Sequence, residues 1–574
     1  MNEQITFPRD LKVDVRVNPV GFMPDASKKC VVAQNTKFHV IQLESGRELY
    51  SADLYTYDCD FGRSAVGDFS KVRVPGTYYI KTDKSRSYPF RINSNVYDDV
   101  MQMIVRYFSR QRCGASTTGY LAPCHLDDGI RLDNGKHQDV TGGWHDASDL
   151  RKWVGATIYG MIGLARLYEV LMPNWDHGQI MDELLWGNRY FLNMQEPAGY
   201  VMSHVGGDVL KHGDSNRWTD NIIGDENGSA ITIKPKPEGS SGEITIAGAK
   251  DDRVIQTNPL DRLGQYNFII AEVIMARLTK QSDPIYSEKC LTSASRCFDW
   301  CIESGSNSNA GHIGIAIESA IELYKATGMD RYLKYAIDHA KLLSILQVKE
   351  SIASDMLIKG FYVTSQNNPE PYLNIWNGCW HIIALCDLIE ISPDRPDTSQ
   401  WKEAIALYVQ DYLLAMTKRN NFGIVPYGFF SKGNPGGNRQ IGNFWYRYFM
   451  KPVDGWWVGI NANLASAGVG LVKSAKILQD SNLLSIAQRQ LDWILGFNPH
   501  GASTMEGVGY NHPKQFVNGS EFSPATPRIP GAVMNGIGGT LEDQPALYDG
   551  SYNTAEYWTP MVAYTMWLMA ELSI

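Results

Sequence analysis

A chain of 574 residues is too long for one ordinary hydrophobic core, so it is expected to form two domains of unequal size, the larger of which can be a helical toroid. Its net charge of -9 and the lack of any concentrated Lys/Arg stripe argue against a nucleic-acid partner, whose phosphates need a basic footprint. No run of 18 or more apolar residues occurs, so no membrane-spanning helix is expected.

Residues 11–94 read as short strands. Val13, Val15 and Val17 alternate with Asp14 and Arg16, and Phe38–Leu43 and Gly76–Lys81 follow, each bounded by turn residues. Such spacing predicts a small β-sandwich. Beyond Tyr88–Asn93 the period changes, with Met101, Ile104, Val105 and Phe108 at helical spacing, which places a boundary near residue 95 and divides the chain into 1–94 and 95–574. Helices are predicted near 97–112, 150–172, 179–195, 262–279, 286–303, 313–327, 330–347, 374–391, 400–418, 461–477, 481–496 and 556–573. Joined in antiparallel pairs they can close into a double ring, an all-α (α/α)6 barrel, with a cleft at one end. Two long polar, glycine-rich segments interrupt the pattern. Residues 203–258 read as a lid or an insertion, and residues 498–550, carrying Glu506, His512 and Arg528, as a cleft wall.

The chemistry-bearing residues fall into two groups. Asp146 and Asp149 lie in Gly142–Asp149, and Glu556 lies in Tyr552–Trp558, among aromatic residues. Glycosidic cleavage needs one carboxyl group to protonate the leaving oxygen and another to activate water or attack carbon, and aromatic faces suit sugar rings. The competing reading is ordinary: carboxylates are mostly solvated surface groups, and 62 acidic residues will place some beside tryptophan. Cys113, Cys124, His125 and His145 form the second group. Two thiolates and two imidazoles are a common tetrahedral zinc set, although the spacing is looser than a finger's and buried cysteines are common in cores. The nine cysteines are scattered and odd in number, unlike a disulfide framework.

These residues resemble glycoside hydrolase family 9, in the branch with an N-terminal immunoglobulin-like domain. The likeness runs through Val15–Phe22, Asp68–Ser70 and Pro75–Tyr78, and is most specific at Gly142-Gly143-Trp144-His145-Asp146-Ala147-Ser148-Asp149, where Ser148 replaces the family's usual glycine. The resemblance implies that Asp149 is the general base, that Asp146 helps hold the water, that Glu556 is the general acid, and that the anomeric centre is inverted. It also implies a structural zinc on Cys113, Cys124, His125 and His145 that pins the loop carrying Asp146 and Asp149. Calcium is a further possible cofactor, although no contiguous loop of oxygen ligands locates it. Trp457, in Gly455–Asn461, is a candidate sugar platform, with Trp144, Tyr552, His512 and Arg528 as further substrate-binding candidates. Of Trp376 and Trp380, at least one is expected in the core. Ser148 is expected to crowd the turn beside the base. The family's late His-His-Arg run is replaced here by Lys514-Gln515-Phe516-Val517-Asn518, which implies altered substrate choice or weaker action on plain cellulose.

The sequence therefore points to an inverting β-1,4-glucanase acting on cellulose, mixed-linkage glucan or xyloglucan. A hydrolase of another β-glycan such as a glucosaminide, a polysaccharide lyase, and a catalytically impaired glycan-binding protein are the alternatives. The expected setting is secreted, periplasmic or cell-surface in a bacterium, although Met1–Pro8 carries no signal peptide. A monomer is expected, and the sandwich should buttress the helical domain, since no clustered exposed aromatics stand out in residues 11–94.

Overall fold

The alternating valines and aromatics of the first ninety residues sort into two sheets. The structure, a computed structural model, describes residues 14–574 except 34–35, 121–122, 171–174, 176, 208–230, 234–243, 247–252, 306–308, 355, 375, 432–438, 453–455 and 517–526. Strands β1 (Val15–Arg16), β3 (Lys29–Val32), β7 (Gly62–Asp68) and β6 (Tyr55–Cys59) form one sheet in that order. The other contains β2 (Gly21–Phe22), β9 (Phe90–Ile92), β8 (Gly76–Lys81), β4 (Lys37–Gln42) and β5 (Glu48–Asp53). Val15, Phe22, Val32, Phe38, Val40, Phe69, Ile80 and Phe90 fill the space between them, with Phe22 edge-on to both Phe69 and Phe90.

Twelve helices longer than two turns follow among the described residues: α1 (Asp98–Gln111), α2 (Val154–Val170), α3 (His177–Asn193), α4 (Arg262–Thr279), α5 (Pro284–Glu303), α6 (Ala310–Thr327), α7 (Asp330–Ile345), α8 (Trp380–Ile391), α9 (Thr398–Ala406, continued as a π segment over Leu407–Leu414 and an α turn at Ala415–Thr417), α10 (Asn461–Leu478), α11 (Asn482–Ile494) and α12 (Thr559–Leu572). α2, α4, α6, α8, α10 and α12 each pack on the next, and α12 returns to α2, closing an inner ring. The other six alternate with them in sequence and form the outer layer, so the predicted (α/α)6 ring is present. Burial follows this division. α8 is buried continuously from Trp380 to Ile389, whereas α7 buries only Tyr332, Ala336, Ile337, Ala340 and Leu343 on one face. Close helix approach is made at Gly314, where a Cβ would lie 2.5 Å from the His381 amide nitrogen.

Three inner helices start later than the periodicity predicts. α2 begins at Val154, because Lys152–Trp153 pair as a strand with Met202–Gly207. α8 begins at Trp380 and α12 at Thr559, with Pro560 in its first turn. Their preceding apolar residues line a cavity at the N-terminal ends of the inner ring, so a run of aromatics there extends the apolar signal without extending the helix. Glu556 accordingly lies in an extended link between the helical turn Tyr552–Ala555 and α12, outside either helix. The ends of the 203–258 segment form antiparallel strands, Met202–Gly207 with Arg253–Pro259, that wall this cavity; most of the intervening residues lie outside those described.

At the opposite end of the ring the inner helices meet through charge. Arg166 of α2 bonds Glu318 at 2.9 Å and Glu322 at 3.0 Å on α6, Arg277 of α4 bonds Glu169 at 2.6 Å and also Glu322, and Lys473 of α10 bonds Asp387 of α8 at 2.6 Å. Buried charges persist when paired in this way. Glu272 of α4 is buried with no ion-pair partner among the described residues: Asn188 donates to it at 2.6 Å, and burial pushes its carboxyl up to about 8.

The sandwich docks on α11 and the loop 439–449. Asn18 donates to Asp492 at 2.9 Å, Arg489 to Ser27 at 2.9 Å, and Tyr446 to Asp60 at 2.7 Å. Phe61, at the β6–β7 turn, packs between Tyr448, Phe449 and Trp493.

Two predictions follow from this packing. Phe61→Ala should destabilise the whole chain by about 2 kcal/mol, read by denaturant unfolding. For Glu272, ionisation is easier in the unfolded chain (ordinary value 4.5) than in the fold (about 8), so stability falls as pH rises through that window. Glu272→Gln should therefore flatten the loss of Tm between roughly pH 5 and pH 8.

Candidate active site

The loop that leaves α1 must turn sharply to reach α2, and two glycines allow it. Gly142 and Gly143 have φ of +82° and +71°, and a Cβ on Gly143 would meet Tyr190 at 2.8 Å. Trp144 then plunges into the core. It is fully buried, lies edge-on to Phe108, and donates its indole N–H to Glu183 at 3.3 Å, so it anchors the loop and does not face the cleft, contrary to its expected place among the substrate contacts.

Past this anchor the loop is tied to the segment around Glu556. Trp558 Nε1 donates to Asp146 Oδ2 at 3.0 Å, and the Thr559 amide and hydroxyl both donate to the Asp146 carbonyl, at 3.0 and 2.8 Å. Ser148 Oγ donates to Glu556 Oε1 at 2.5 Å, and the Asn535 amide donates to the Glu556 carbonyl at 2.8 Å. Burial, then the neighbouring Asp149, drives the Asp146 carboxyl well above its ordinary value against the opposing bond from Trp558. The crowding expected from Ser148 does not arise: it is absent from the residues with left-handed φ, so its backbone has no need of glycine.

Asp146, Asp149 and Glu556 line one cavity of about 500 Å³, together with Trp153, Trp376, Trp456, Trp558, Asn535 and the segment Asn258–Asp261. Trp456 is 51% exposed and stands edge-on to Trp558 at 6.0 Å, while Trp376 meets Trp558 at 4.7 Å. Trp380, the other member of that pair, is buried against Trp567. No lysine or arginine lines the cavity among the described residues.

The remaining substrate-contact candidates lie elsewhere. Trp457 turns away from its neighbour and packs on Tyr548 at 4.8 Å, so Trp456 holds the cleft position: in an irregular segment, adjacent residues point apart and no periodicity selects between them. Tyr552 gives its carbonyl to Asn535 and sets its ring near Phe516. Arg528 is engaged by Glu506 at 3.0 Å and by the Pro513 carbonyl at 3.3 Å. His512 is part of the same Glu506 cluster, and neither it nor Arg528 lines the cavity. Val517 and Asn518 lie outside the described residues. Trp153, Trp456, Asn258–Asp261 and Asn535 are among the cavity residues that the sequence does not single out. Trp153 had a signal, standing four residues after Asp149.

Behind the acidic loop, Cys113, Cys124, His125 and His145 are all buried, with one ligand atom each within 4.8 Å of every other. Cys113 Sγ lies 3.5 Å from His125 Nδ1, and Cys124 Sγ lies 3.8 Å from His145 Nε2. A tetrahedral ion with ordinary zinc–sulfur and zinc–nitrogen bonds would set such edges at about 3.6 Å, so the donors fit. Burial opposes charging these thiols, yet Cys124, Lys152 and both imidazoles together bring the Cys113 thiol well below its ordinary value. Among the described residues this is the one group of three or more His, Cys, Asp or Glu side chains placed to share an ion.

The Glycosyl hydrolase family 9 profile matches residues 97–569, and the profile of the Cellulase N-terminal ig-like domain matches residues 11–87. The chain belongs to glycosyl hydrolase family 9. Endoglucanase D of Acetivibrio thermocellus is 26% identical over 350 residues, covering 56% of this chain and 52% of that protein. A Cellodextrinase of Butyrivibrio fibrisolvens is 32% identical over 205 residues, 34% of each chain. The chain thus spans about half the length, or less, of these curated relatives. Among solved structures, Bacteroides ovatus GH9 superposes with a TM-score of 0.67 at 18% identity, covering 99% of both chains. A Zn-binding triple mutant of the GH family 9 endoglucanase J30 gives 0.67 at 20% identity, covering 96% of this chain and 99% of that one. At these identities the likeness is one of fold, and the protein is a family 9 glycoside hydrolase with an immunoglobulin-like domain ahead of its helical ring.

Proposed function

We propose that the protein hydrolyses β-1,4-glucosidic bonds in a plant-type β-glucan with inversion at the anomeric carbon. The observation that carries this reading is the meeting of Asp146, Asp149 and Glu556 in one tryptophan-lined cavity. In this mechanism Glu556 protonates the departing glycosidic oxygen. Asp149 removes a proton from a water that attacks the anomeric carbon from the opposite face, and Asp146 helps hold that water. Inversion requires space for the water between base and sugar, and an open cavity of about 500 Å³ is compatible with it. Trp456, Trp376, Trp153 and Trp558 offer apolar faces for glucose rings. The same lining disfavours the lyase alternative, because uronate polymers call for cations that the described lining lacks. A polymeric substrate does not cross a cytoplasmic membrane, which favours action at the cell surface, in the periplasm or outside the cell.

We assign zinc to Cys113, Cys124, His125 and His145. A four-donor protein set leaves no position for substrate, so the ion supplies structure: it ties the chain after α1 to the loop that presents Asp146 and Asp149.

Reducing ends should be released from at least one of cellulose, mixed-linkage glucan, xyloglucan, glucomannan or chitosan. Glu556→Gln and Asp149→Asn should each lower that rate by roughly 10²–10⁴-fold. Trp456→Ala should raise KM for oligosaccharides by about tenfold through lost stacking. Elemental analysis should find one zinc per chain, and Cys113→Ser should lower both the zinc content and Tm.

A further inference from the structure

The short hydrogen bond from Ser148 to Glu556 joins the acidic loop to the proposed acid. We infer that Ser148 is a positioning residue for proton donation, fixing which oxygen of Glu556 carries the proton and strengthening its grip on that carboxyl group as the proton leaves. The inference rests on the reading of Glu556 as the general acid.

Three observations support it. Ser148 is 3% exposed and its Oγ donates to Oε1 at 2.5 Å, so the partner is a built contact and not a surface coincidence. The Glu556 main chain is held independently by the Asn535 amide, and the Ala147 carbonyl beside Ser148 accepts from Gln111 at 3.1 Å, so both ends of the bond are braced. Finally, the contact is made to one oxygen, Oε1, so with Ser148 as donor the reading of Glu556 as the acid places the acidic proton on Oε2.

When the glycosidic bond breaks, the Oε2 proton moves to the departing oxygen, and the electron pair of the O–H bond stays on the carboxylate. Ser148 keeps its own proton throughout. Its bond to Oε1 begins as neutral to neutral and ends as neutral to anionic, and charge-assisted hydrogen bonds are about twice as strong as neutral ones. The gain appears as charge develops, so it lowers the barrier without strengthening ground-state binding. Among the described residues, the ionisable groups around Glu556 include Asp146, Tyr107 on α1 and Tyr557 beside it, with Asp149 in the same cavity. The carboxylates disfavour charge on Glu556, and among these neighbours Ser148 is a neutral donor acting the other way.

The test compares Ser148→Ala, Ser148→Gly and Ser148→Thr with the full-length parent, using a glucan the parent cleaves and a series of aryl β-cellobiosides. Loss of the hydroxyl should lower kcat about tenfold with KM nearly unchanged, as expected for a hydrogen bond to a charged group. The alkaline limb of the kcat/KM profile, which reports the protonated acid, should move up by about one pH unit, because a group that favoured the ionised form has gone. The acid limb should stay in place. The defect should shrink as the leaving phenol becomes more acidic, since such groups need little protonation, and Ser148→Thr should restore both rate and profile. An unchanged alkaline limb in a folded Ser148→Ala enzyme, or a loss independent of leaving group, overturns the inference. Glu556→Gln in the same assay separates the two claims: if it abolishes cleavage of the glucan while Ser148→Ala changes nothing, the acid stands and the positioning role falls. If Glu556→Gln is active, the reading of the acid itself fails.

Discussion

The site depends on a seam between two segments 408 residues apart in sequence. Asp146 and Ser148 on one side meet Glu556, Trp558 and Thr559 on the other through hydrogen bonds of side chain to side chain and backbone to backbone. Each carboxyl group can be aimed only as well as its partner segment is held, because the two sides use one another as supports. The seam also joins α2 to α12, the two helices whose contact closes the inner ring. The contacts that close the ring between α2 and α12 thus lie beside the contacts that bring the acidic loop to Glu556.

Such a seam is costly to hold, since three carboxyl groups share one partly buried space. Desolvation and repulsion push the Asp146 carboxyl upward, and the fold answers with neutral donors to the carboxyl oxygens, the Trp558 indole on Asp146 and the Ser148 hydroxyl on Glu556, while the amides of Thr559 and Asn535 hold the backbone carbonyls of the same two residues. Fixed dipoles suit this task better than cations, which would form ion pairs with the carboxylates and remove them from use. No cation lines the cavity among the described residues. Behind the acidic loop, the buried Lys152 and Arg253 are both paired with Asp128, and at the far end of the ring Arg166, Arg277 and Lys473 are paired with buried carboxylates.

Much of this architecture was legible in the sequence because it rests on periodicity. Helices such as α6 and α10 carry apolar residues that repeat at the helical period, and the glycines and acids of Gly142–Asp149 form a contiguous word. What stayed hidden lies where backbone geometry is irregular. Trp456 and Trp457 are chemically equal neighbours, and only the turn before α10 decides that the first faces the cleft while the second packs on Tyr548. Trp144 looked like a sugar contact because aromatic residues next to catalytic acids often are; its partner Glu183, on α3, is 39 residues away and carries no local signature. Arg528 is a candidate because it lies in the late loop where it could stand in for the missing His-His-Arg run, and Glu506, 22 residues before it, claims it.

The missing late His-His-Arg run can be weighed against what replaces it. The Lys514 backbone amide donates to Asp549 at 2.7 Å, and the next basic groups nearby, Arg528 and His512, gather around Glu506. Polar recognition by cations is therefore absent from the described cavity lining, and the apolar share of recognition falls on four indoles. Indole stacking grips the flat faces of glucose rings but is tolerant of what their edges carry, whereas hydrogen bonding to hydroxyl groups discriminates strongly between substituted and plain sugars. On the proposed reading, a cleft built this way would hold a β-linked backbone by its ring faces and leave the edges less constrained, which is why the proposal extends to branched and mixed-linkage glucans as well as plain cellulose.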